Sequence, residues 1–328
     1  MTKGYRSCSA QKDVLKMRHL TTSLVLSSYN GEQYIVNQLD SLREQIIPID
    51  EVLICDDCSS DSTPSIIRDY IKRFNLTHWK LEVNEHNKGW KKNFRELIFQ
   101  ASGDLIFLCD QDDIWSCEKI SKMVGLMESH PEIDLIACEV EPFYEKGSKQ
   151  IPNVSKGNDD GTLSMHGIDY KAVYVLRPGC TYCVRKDFVD EIKLFWPDEW
   201  AHDAVLWELA ETKGTLALYS KRLVKYRRHA SNASARTKLT RKERIRDIEH
   251  LVERVNLMRR FGEEKEYLTE KDKQMLACIE NWLRARISML DSRGLKSLKK
   301  VIKGHYFYAT NKGLPYDLYL ALLKSGNR

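Results

Sequence analysis

Three carboxylates stand within four residues at Asp110, Asp112 and Asp113, directly after the apolar run Leu105 to Cys109. That run is short enough for a buried strand. Carboxylates crowded at the end of a buried strand repel one another and gain nothing from the core. A divalent cation would account for them, because hard cations such as Mg²⁺ or Mn²⁺ take one or two carboxylates and share the rest of their shell with substrate phosphates. The plain alternative is a turn in which Asp caps the following helix, but one Asp would suffice for that. A second acidic pair, Asp56-Asp57, closes another apolar run, Glu51 to Cys55.

These groups need elements to hold them in common. Thr22 to Ser28 reads as a first buried strand, Tyr29-Asn30-Gly31 as a turn, and Tyr34, Ile35, Leu39 and Leu42 as the apolar stripe of a helix. Glu51 to Cys55 is a second strand. Ser59 to Pro64 is a loop, cap and first-turn proline, leading to a helix striped by Ile66, Ile67, Tyr70, Ile71 and Phe74. Trp79 to Val83 is a third strand, Asn87-Lys88-Gly89 a turn, and Phe94, Leu97, Ile98 and Ala101 the face of the next helix. After the acidic strand, Met123, Leu126 and Met127 mark another helix, and Asp134 to Val140 a fifth strand. Strands alternating with helices at this rhythm predict an α/β fold with a mostly parallel sheet covered on both faces. Ligands bind such sheets at the carboxyl ends of the strands, where Asp56, Asp57, Asp110, Asp112 and Asp113 all fall.

Further on the pattern loosens. Glu141 to His166 reads as a long polar loop, and Tyr174 to Pro178 and Thr181 to Val184 as short strands around Gly179. Asp198 to Asp203 leads into a helix from Ala204 to Thr212. A strand pair, Thr215 to Tyr219 and Leu223 to Arg227, closes on Arg227-Arg228-His229 and Asn232. Beyond Arg236 the chain is helical and amphipathic, with stripes Ile245, Ile248, Leu251, Val252, Val255, Met258 and Leu276, Ile279, Trp282, Leu283, Ile287.

The 328 residues, 42% hydrophobic and 30% charged, suit a soluble protein with room for a large core. The net charge of +5 conceals an asymmetry. From Arg236 onward there are 22 Lys+Arg against 12 Asp+Glu, a net of +10, which leaves −5 for the preceding body. A basic tail on an acidic body suggests that the tail faces something anionic. No stretch reaches the ~18 apolar residues of a membrane span, and the opening residues lack the apolar core of a signal peptide. Nine cysteines, an odd number, then point to reduced thiols in a cytoplasm. The pairs Cys55/Cys58 and Cys180/Cys183 have the spacing of zinc or redox sites, but both fall in strand-like runs and read as buried small residues.

In order and at suitable spacing, the chain carries Ser28-Tyr29-Asn30-Gly31, Asp56-Asp57-Cys58-Ser59-Ser60-Asp61, Asn87-x-Gly89 with Asn93-Phe94, and Asp110-Gln111-Asp112-Asp113-Ile114-Trp115. It resembles the inverting family 2 glycosyltransferases, and within them the bacterial rhamnosyltransferase-like branch that builds surface polysaccharides. His202-Asp203 and Tyr226 to His229 extend the likeness to about Asn232; the tail resembles helical extensions of that branch only loosely. The resemblance implies the GT-A fold, a mixed, mostly parallel central sheet flanked by helices, here with a C-terminal helical extension. With it, residues 1–18 read as a polar lead-in, 19–140 as the nucleotide-sugar half, 141–235 as the acceptor half and 236–328 as the basic amphipathic extension.

The same resemblance implies the roles. Asp57, with Asp56 beside it, would accept from the donor's pyrimidine. Ser28, Tyr29, Asn30, Asn87, Gly89, Asn93 and Gln111 would line the nucleotide-sugar site. Asp110 and Asp112 match the family's DxD pair, with Asp112 on a Mg²⁺ or Mn²⁺ ion and Asp110 near the ribose or the metal's water. His229 would reach the metal or diphosphate, Arg227 and Arg228 would add positive charge, and Asp113 and Trp115 would shape the sugar pocket, with Cys180, Trp196 and Trp200 nearby. Asp203 would be the general base. The implied donor is a dTDP- or UDP-linked sugar, rhamnose among them, and the acceptor a hydroxyl of a growing glycan or lipid-linked glycan. The enzyme would be cytoplasmic, at the inner face of the plasma membrane if the tail rests on lipid. The tail's stripes fit either that contact or packing on the body or a second subunit; no nucleic-acid module is recognisable. Two other classes share parts of the pattern. A receiver-like signalling domain has acidic strand ends but stops before the Asp198–Asn232 constellation, and a sugar nucleotidyltransferase opens with a basic glycine-rich loop where this chain has Ser27 to Gly31.

Overall fold

In a computed structural model of the chain, residues 20–145, 158–229, 239–292 and 295–322 are described. The first half repeats strand and helix: β1 (Thr22–Ser28), α1 (Ile35–Arg43), β2 (Glu51–Asp56), α2 (Thr63–Arg73), β3 (Trp79–Val83), α3 (Trp90–Gln100) and β4 (Leu105–Asp110). A two-residue strand β5 (Ile114–Trp115), α4 (Lys119–Ser129) and the long β6 (Leu135–Tyr144) complete it. The second half holds β7 (Leu163–His166), β8 (Tyr182–Arg185), α5 (Lys186–Ile192), α6 (His202–Lys213) and β9 (Leu216–Arg228). The extension consists of α7 (Arg241–Glu264), α8 (Glu270–Ser292), α9 (Leu295–Lys303) and α10 (Gly313–Leu322).

The strands form one mixed sheet in the order β3-β2-β1-β4-β8-β6-β9-β5, with β7 also on β9. The block β3-β2-β1-β4 is wholly parallel, while β8, β5 and β7 pair antiparallel to their neighbours. Alternate residues of the parallel strands feed opposite cores. Leu24, Leu26, Leu105 and Phe107 meet α1, α2 and α4 on one face. Val25, Ile106 and Leu108 meet α3, α5 and α6 on the other. Burial on both faces is why these strands read as unbroken apolar runs. Their carboxyl ends are in register, Ser28 opposite Asp56 and Ser27 opposite Asp110. The chain moves outward from β1 to β2 and β3, then returns to β4 on the other side of β1, which makes the β1/β4 junction a topological switch point.

Four local expectations need correction. The Glu141–His166 segment is not all loop: β6 runs on to Tyr144 and β7 occupies Leu163–His166, while 146–157 lie outside the described residues. Tyr174 to Pro178 forms no strand, and Cys180 sits in a 3₁₀ turn, Gly179–Thr181, before β8. The predicted strand pair after α6 is a single strand, β9, lying parallel to β6 with register shifts around Glu139. Ser220 and Lys221 look like turn residues, but a bulge absorbs them without reversing the chain.

In the extension, the stripes of α7 and α8 are spent on packing. Ile248, Val252, Val255, Met258, Leu276, Ile279, Trp282 and Leu283 form one core with Ala172 and Val173 of the body. Among the described residues no helix is long and apolar enough to cross a membrane.

Candidate functional site

The β1 turn and the β2 loop are stitched together by side chains. Asp56 is fully buried; its carboxylate accepts from the Ser28 hydroxyl (2.8 Å), the Ser59 hydroxyl (2.7 Å) and the Ser59 amide (2.8 Å). Asn30 takes a positive φ of 47° that its short polar side chain tolerates. Its amide donates to Ser59 Oγ and its Oδ1 accepts from the Ser60 amide (2.8 and 2.9 Å). Asp57 draws in a third segment, accepting at Oδ1 from Asn84 Nδ2 and the Lys88 amide and at Oδ2 from the Gly89 amide (2.9, 2.8 and 2.8 Å). Asn87 donates to the Asp57 carbonyl, and Asn93 bonds Ser27 Oγ and the Cys55 carbonyl. A carboxylate offers about four lone-pair sites, so Asp57 keeps one at Oδ2 for a further donor.

The acidic loop is fastened to this cradle. Gln111 accepts from the Tyr29 amide at Oε1 (2.8 Å) and donates to the Tyr29 carbonyl from Nε2 (2.9 Å). Gly31 lies so close beneath it that a Cβ there would overlap the Gln111 amide. From the other side β9 holds the loop. The Arg227 amide donates to Asp113 Oδ1 (2.9 Å), Arg227 Nε donates to the Asp112 carbonyl (2.7 Å), and β5 pairs Trp115 with Val224.

The aspartates then divide. Asp112 reaches outward to His229 Nε2, 2.7 Å from its Oδ2. Asp110, Asp113 and Cys180 gather their ligand atoms within 4.8 Å of one another. Asp113 is wholly buried and its Oδ2 has no hydrogen-bond partner. Burial, with the charges of Asp112 and Asp203, pushes Asp110 up to about 7. Burial and the charges of Asp112 and Asp110 drive Asp113 well above the ordinary carboxylate range. Carboxyls held this close, one with an oxygen unsatisfied, fit a cation: it would relieve their repulsion and fill the missing contact. The two carboxylates give this cluster hard oxygen donors, with the softer Cys180 thiol beside them, while Asp112 and His229 form a pair of their own.

Asp203 stands in the first turn of α6. It is not the cap of that helix, a position Ala201 holds, and its Oδ1 accepts from the Ala204 amide (2.8 Å). Opposite it, the Gly179–Thr181 turn packs against α6 so tightly that a Cβ on Gly179 would lie 2.5 Å from His202 Nε2 and 3.3 Å from Asp203 Cβ. That turn carries Cys180 to the aspartates, linking the acidic loop to the α6 end. His202 is buried between Phe94 and Trp90, and desolvation lowers its pKa to about 4, so it stays neutral.

The family model for glycosyl transferase family 2 matches residues 23–186, half of the chain. The chain belongs to glycosyltransferase family 2. An uncharacterized protein of Mycobacterium tuberculosis is 32% identical over 219 residues, 63% of this chain and 59% of that relative. The dTDP-rhamnosyl transferase RfbG of Shigella flexneri is 29% identical over 219 residues, 63% and 72% of the two chains. The solved structure of Staphylococcus aureus TarS 1-349 in complex with UDP-GlcNAc superposes with a TM-score of 0.60 at 16% identity, covering 87% of this chain and 79% of that one. The fold is therefore of the GT-A type.

For this family 2 member, several residues around the site escaped the sequence reading. Lys119 is fully buried on α4, donates from Nζ to the Cys180 carbonyl (2.6 Å) and lies 3.2 Å from the Trp115 ring centroid. Its signal was present, since Lys119 shares the stripe of Met123 and Met127 at four-residue spacing. Tyr34 donates from its hydroxyl to Glu145 (2.9 Å), its ring lies under Arg227 and beside His229, and Glu145 also pairs with Arg227. No local pattern announces that pairing, because residues 111 positions apart meet only in the fold. Arg228 is buried beside Tyr226. Trp196 is core packing against Phe99, and Trp200 lies in a cleft with α7. Asn232 lies outside the described residues.

Proposed function

We propose that this chain is an inverting glycosyltransferase that moves a sugar from a dTDP- or UDP-linked donor to a hydroxyl of a growing surface polysaccharide or lipid-linked glycan. The observation that carries the reading is the convergence around the β1/β4 switch point: the cradle built on Asp57, the acidic loop, and α6, whose Asp203 packs on the Gly179–Thr181 turn that carries Cys180 to that loop. RfbG, a dTDP-rhamnosyl transferase by name, and the UDP-GlcNAc complex of TarS support the donor class.

The free lone pair of Asp57 accepts from the pyrimidine N3–H, while Asp56 holds the Ser28 and Ser59 hydroxyls that shape the same wall. The Tyr29–Gln111 pair, with Asn30, Asn87, Gly89 and Asn93 behind it, keeps base and sugar ends of the site in fixed relation. Asp113, Trp115 and Cys180 bound the sugar, with Lys119 backing Trp115. Arg227 and Arg228 add positive charge toward the diphosphate. Asp203 takes the proton of the acceptor hydroxyl; its oxygen attacks the anomeric carbon from the face opposite the diphosphate, and the sugar–phosphate bond breaks with the electron pair leaving on the diphosphate. A Mg²⁺ or Mn²⁺ ion held by Asp112, with Asp110 and His229, would neutralise the charge on that departing group. The protein acts in the cytoplasm, and its helical extension serves peripheral contact or self-association.

A screen of dTDP- and UDP-sugars for slow hydrolysis without acceptor tests this reading. One nucleotide-sugar should be hydrolysed only with Mg²⁺ or Mn²⁺, and Asp112→Asn should abolish that activity in a folded protein. Full activity in excess EDTA would sink the metal, and inertness toward every donor would sink the enzyme.

A further inference from the structure

The outer face of the helical extension has no part in the chemistry above, and its composition is one-sided. From residue 293 to 328 the chain has eight Lys+Arg against one acid, Asp317. Asp317 is fully buried and taken up by Arg244, Arg286 and the Tyr308 hydroxyl. Among the described residues of this cap, Lys299, Lys300, Lys303 and Lys312 are exposed and no acidic side chain is. On α9, Val301 points inward while Lys299, Ile302 and Lys303 point outward. Among the described residues, neither lysine has an ion-pair partner within 4.0 Å. Tyr306, in the 3₁₀ turn His305–Phe307 that follows, meets Tyr170 of the body with ring centroids 6.2 Å apart; Lys171 Nζ lies 5.5 Å from the centre of the Tyr170 ring. The apolar members stay open to water, Ile302 at 48%, Tyr306 at 52% and Tyr170 at 42% exposure.

The geometry points to this face, Lys299, Ile302, Lys303 and Tyr306 with Tyr170 and Lys171, as the surface by which the protein rests on an anionic lipid bilayer. The inference deepens the proposed function, resting on its reading that the acceptor is a growing surface polysaccharide or lipid-linked glycan. An anionic bilayer answers both halves of the face: its headgroups meet the lysines, and its boundary layer takes aliphatic and tyrosine side chains. A soluble glycan would use the tyrosine rings but leave the lysines and Ile302 unanswered. A second copy of this chain meeting it through the same face would bring the same positive charge to the contact and be repelled. The stripes of α7 and α8 are excluded from this role because they are already buried.

Co-sedimentation of the full chain with phosphatidylcholine vesicles, with and without phosphatidylglycerol, tests the proposal. Binding should require phosphatidylglycerol and fade as salt rises from about 0.05 to 0.5 M. Lys299→Gln with Lys303→Gln should lower the partition coefficient about 30-fold, from the usual contribution of a basic residue at an anionic surface. Ile302→Ser with Tyr306→Ser should weaken binding at high and low salt alike. Donor hydrolysis should persist in both double variants, which also shows that they fold. Equal partition to neutral vesicles, no pelleting of the parent chain, or unchanged binding by either variant would overturn the proposal. So would a monomer–dimer shift in the variants in place of a lipid effect. Absence of hydrolysis in the parent chain, with lipid binding intact, would instead overturn the reading of the site.

Discussion

Asp203 owes its candidacy to position, since several carboxylates lie near it in sequence. Asp198 is exposed and pairs with Arg95 at the surface, and the Glu199 carbonyl accepts from Lys91 (2.9 Å). Asp203 alone of the three faces the Gly179–Thr181 turn and feels the acidic loop. Asp203→Asn should lower the transfer rate constant by about 10²–10⁴-fold, the usual worth of a general base, while donor affinity stays as it was. Calorimetry for nucleotide-sugar binding and product release for transfer, on one variant, separate the two effects. Transfer that survives within a few-fold, or donor binding that collapses with it, would move the role to Asp198 or Glu199. At this scale much was legible, because a carboxylate's chemistry travels with its identity. The pairing of Asp112 with His229 across 117 positions was not legible from spacing.

Elements decide whether those residues meet. The Gly179–Thr181 turn touches both the acidic loop, through Cys180, and the start of α6, through Gly179. His202 cannot retreat from a side chain at Gly179, because Phe94 (4.1 Å between ring centroids) and Trp90 (5.9 Å) close it in. Gly179→Ala should therefore push the turn away from Asp203. Transfer should slow on the order of ten- to a hundredfold, as misplacements near 1 Å do, with donor affinity within about twofold of the parent chain. A loss of donor affinity as large as the loss of turnover would show that the turn serves the nucleotide instead. Sequence periodicity located α6 and the strands of the first half. It missed the continuity of β9 because a bulge opposite Glu139 shifts the register and carries the strand on where local residue types suggest a reversal.

The whole molecule carries buried charge away from the site as well, and that charge adds to the way the raised Asp110 and Asp113 make its stability respond to pH. Glu211 of α6 is almost fully buried and faces His166 of β7 at 3.2 Å. Desolvation raises Glu211 to about 7, and the bond to Glu211 raises His166. For both groups the folded state binds protons more tightly than the unfolded chain, so stability falls as pH rises through these values. The Glu211 contribution is lost from pH ~4.5 to about 7 and amounts to about 3 kcal/mol at full ionisation. The melting temperature should decline between pH 5 and 8, and Glu211→Gln should lessen that decline, leaving the share that belongs to Asp110 and Asp113. A variant whose melting curve tracks the parent's across the window would remove Glu211 as the cause.

From sequence alone one could determine the alternation of strands and helices, the clustering of acids at strand ends and the amphipathic, basic tail. Each is written in local spacing, because a side chain's face follows from a period of two or 3.6 residues. Only the tertiary structure decided which carboxylates share a site, since Asp110 and Asp113 join Cys180 while Asp112 turns to His229. It also decided that Lys119 is sealed behind Trp115 and that the stripes of α7 and α8 pack inward, leaving the lysine-bearing face of α9 outside. Those outcomes depend on contacts between residues tens of positions apart. Their energies arise only once the sheet has closed and water has been excluded, so no local pattern encodes them.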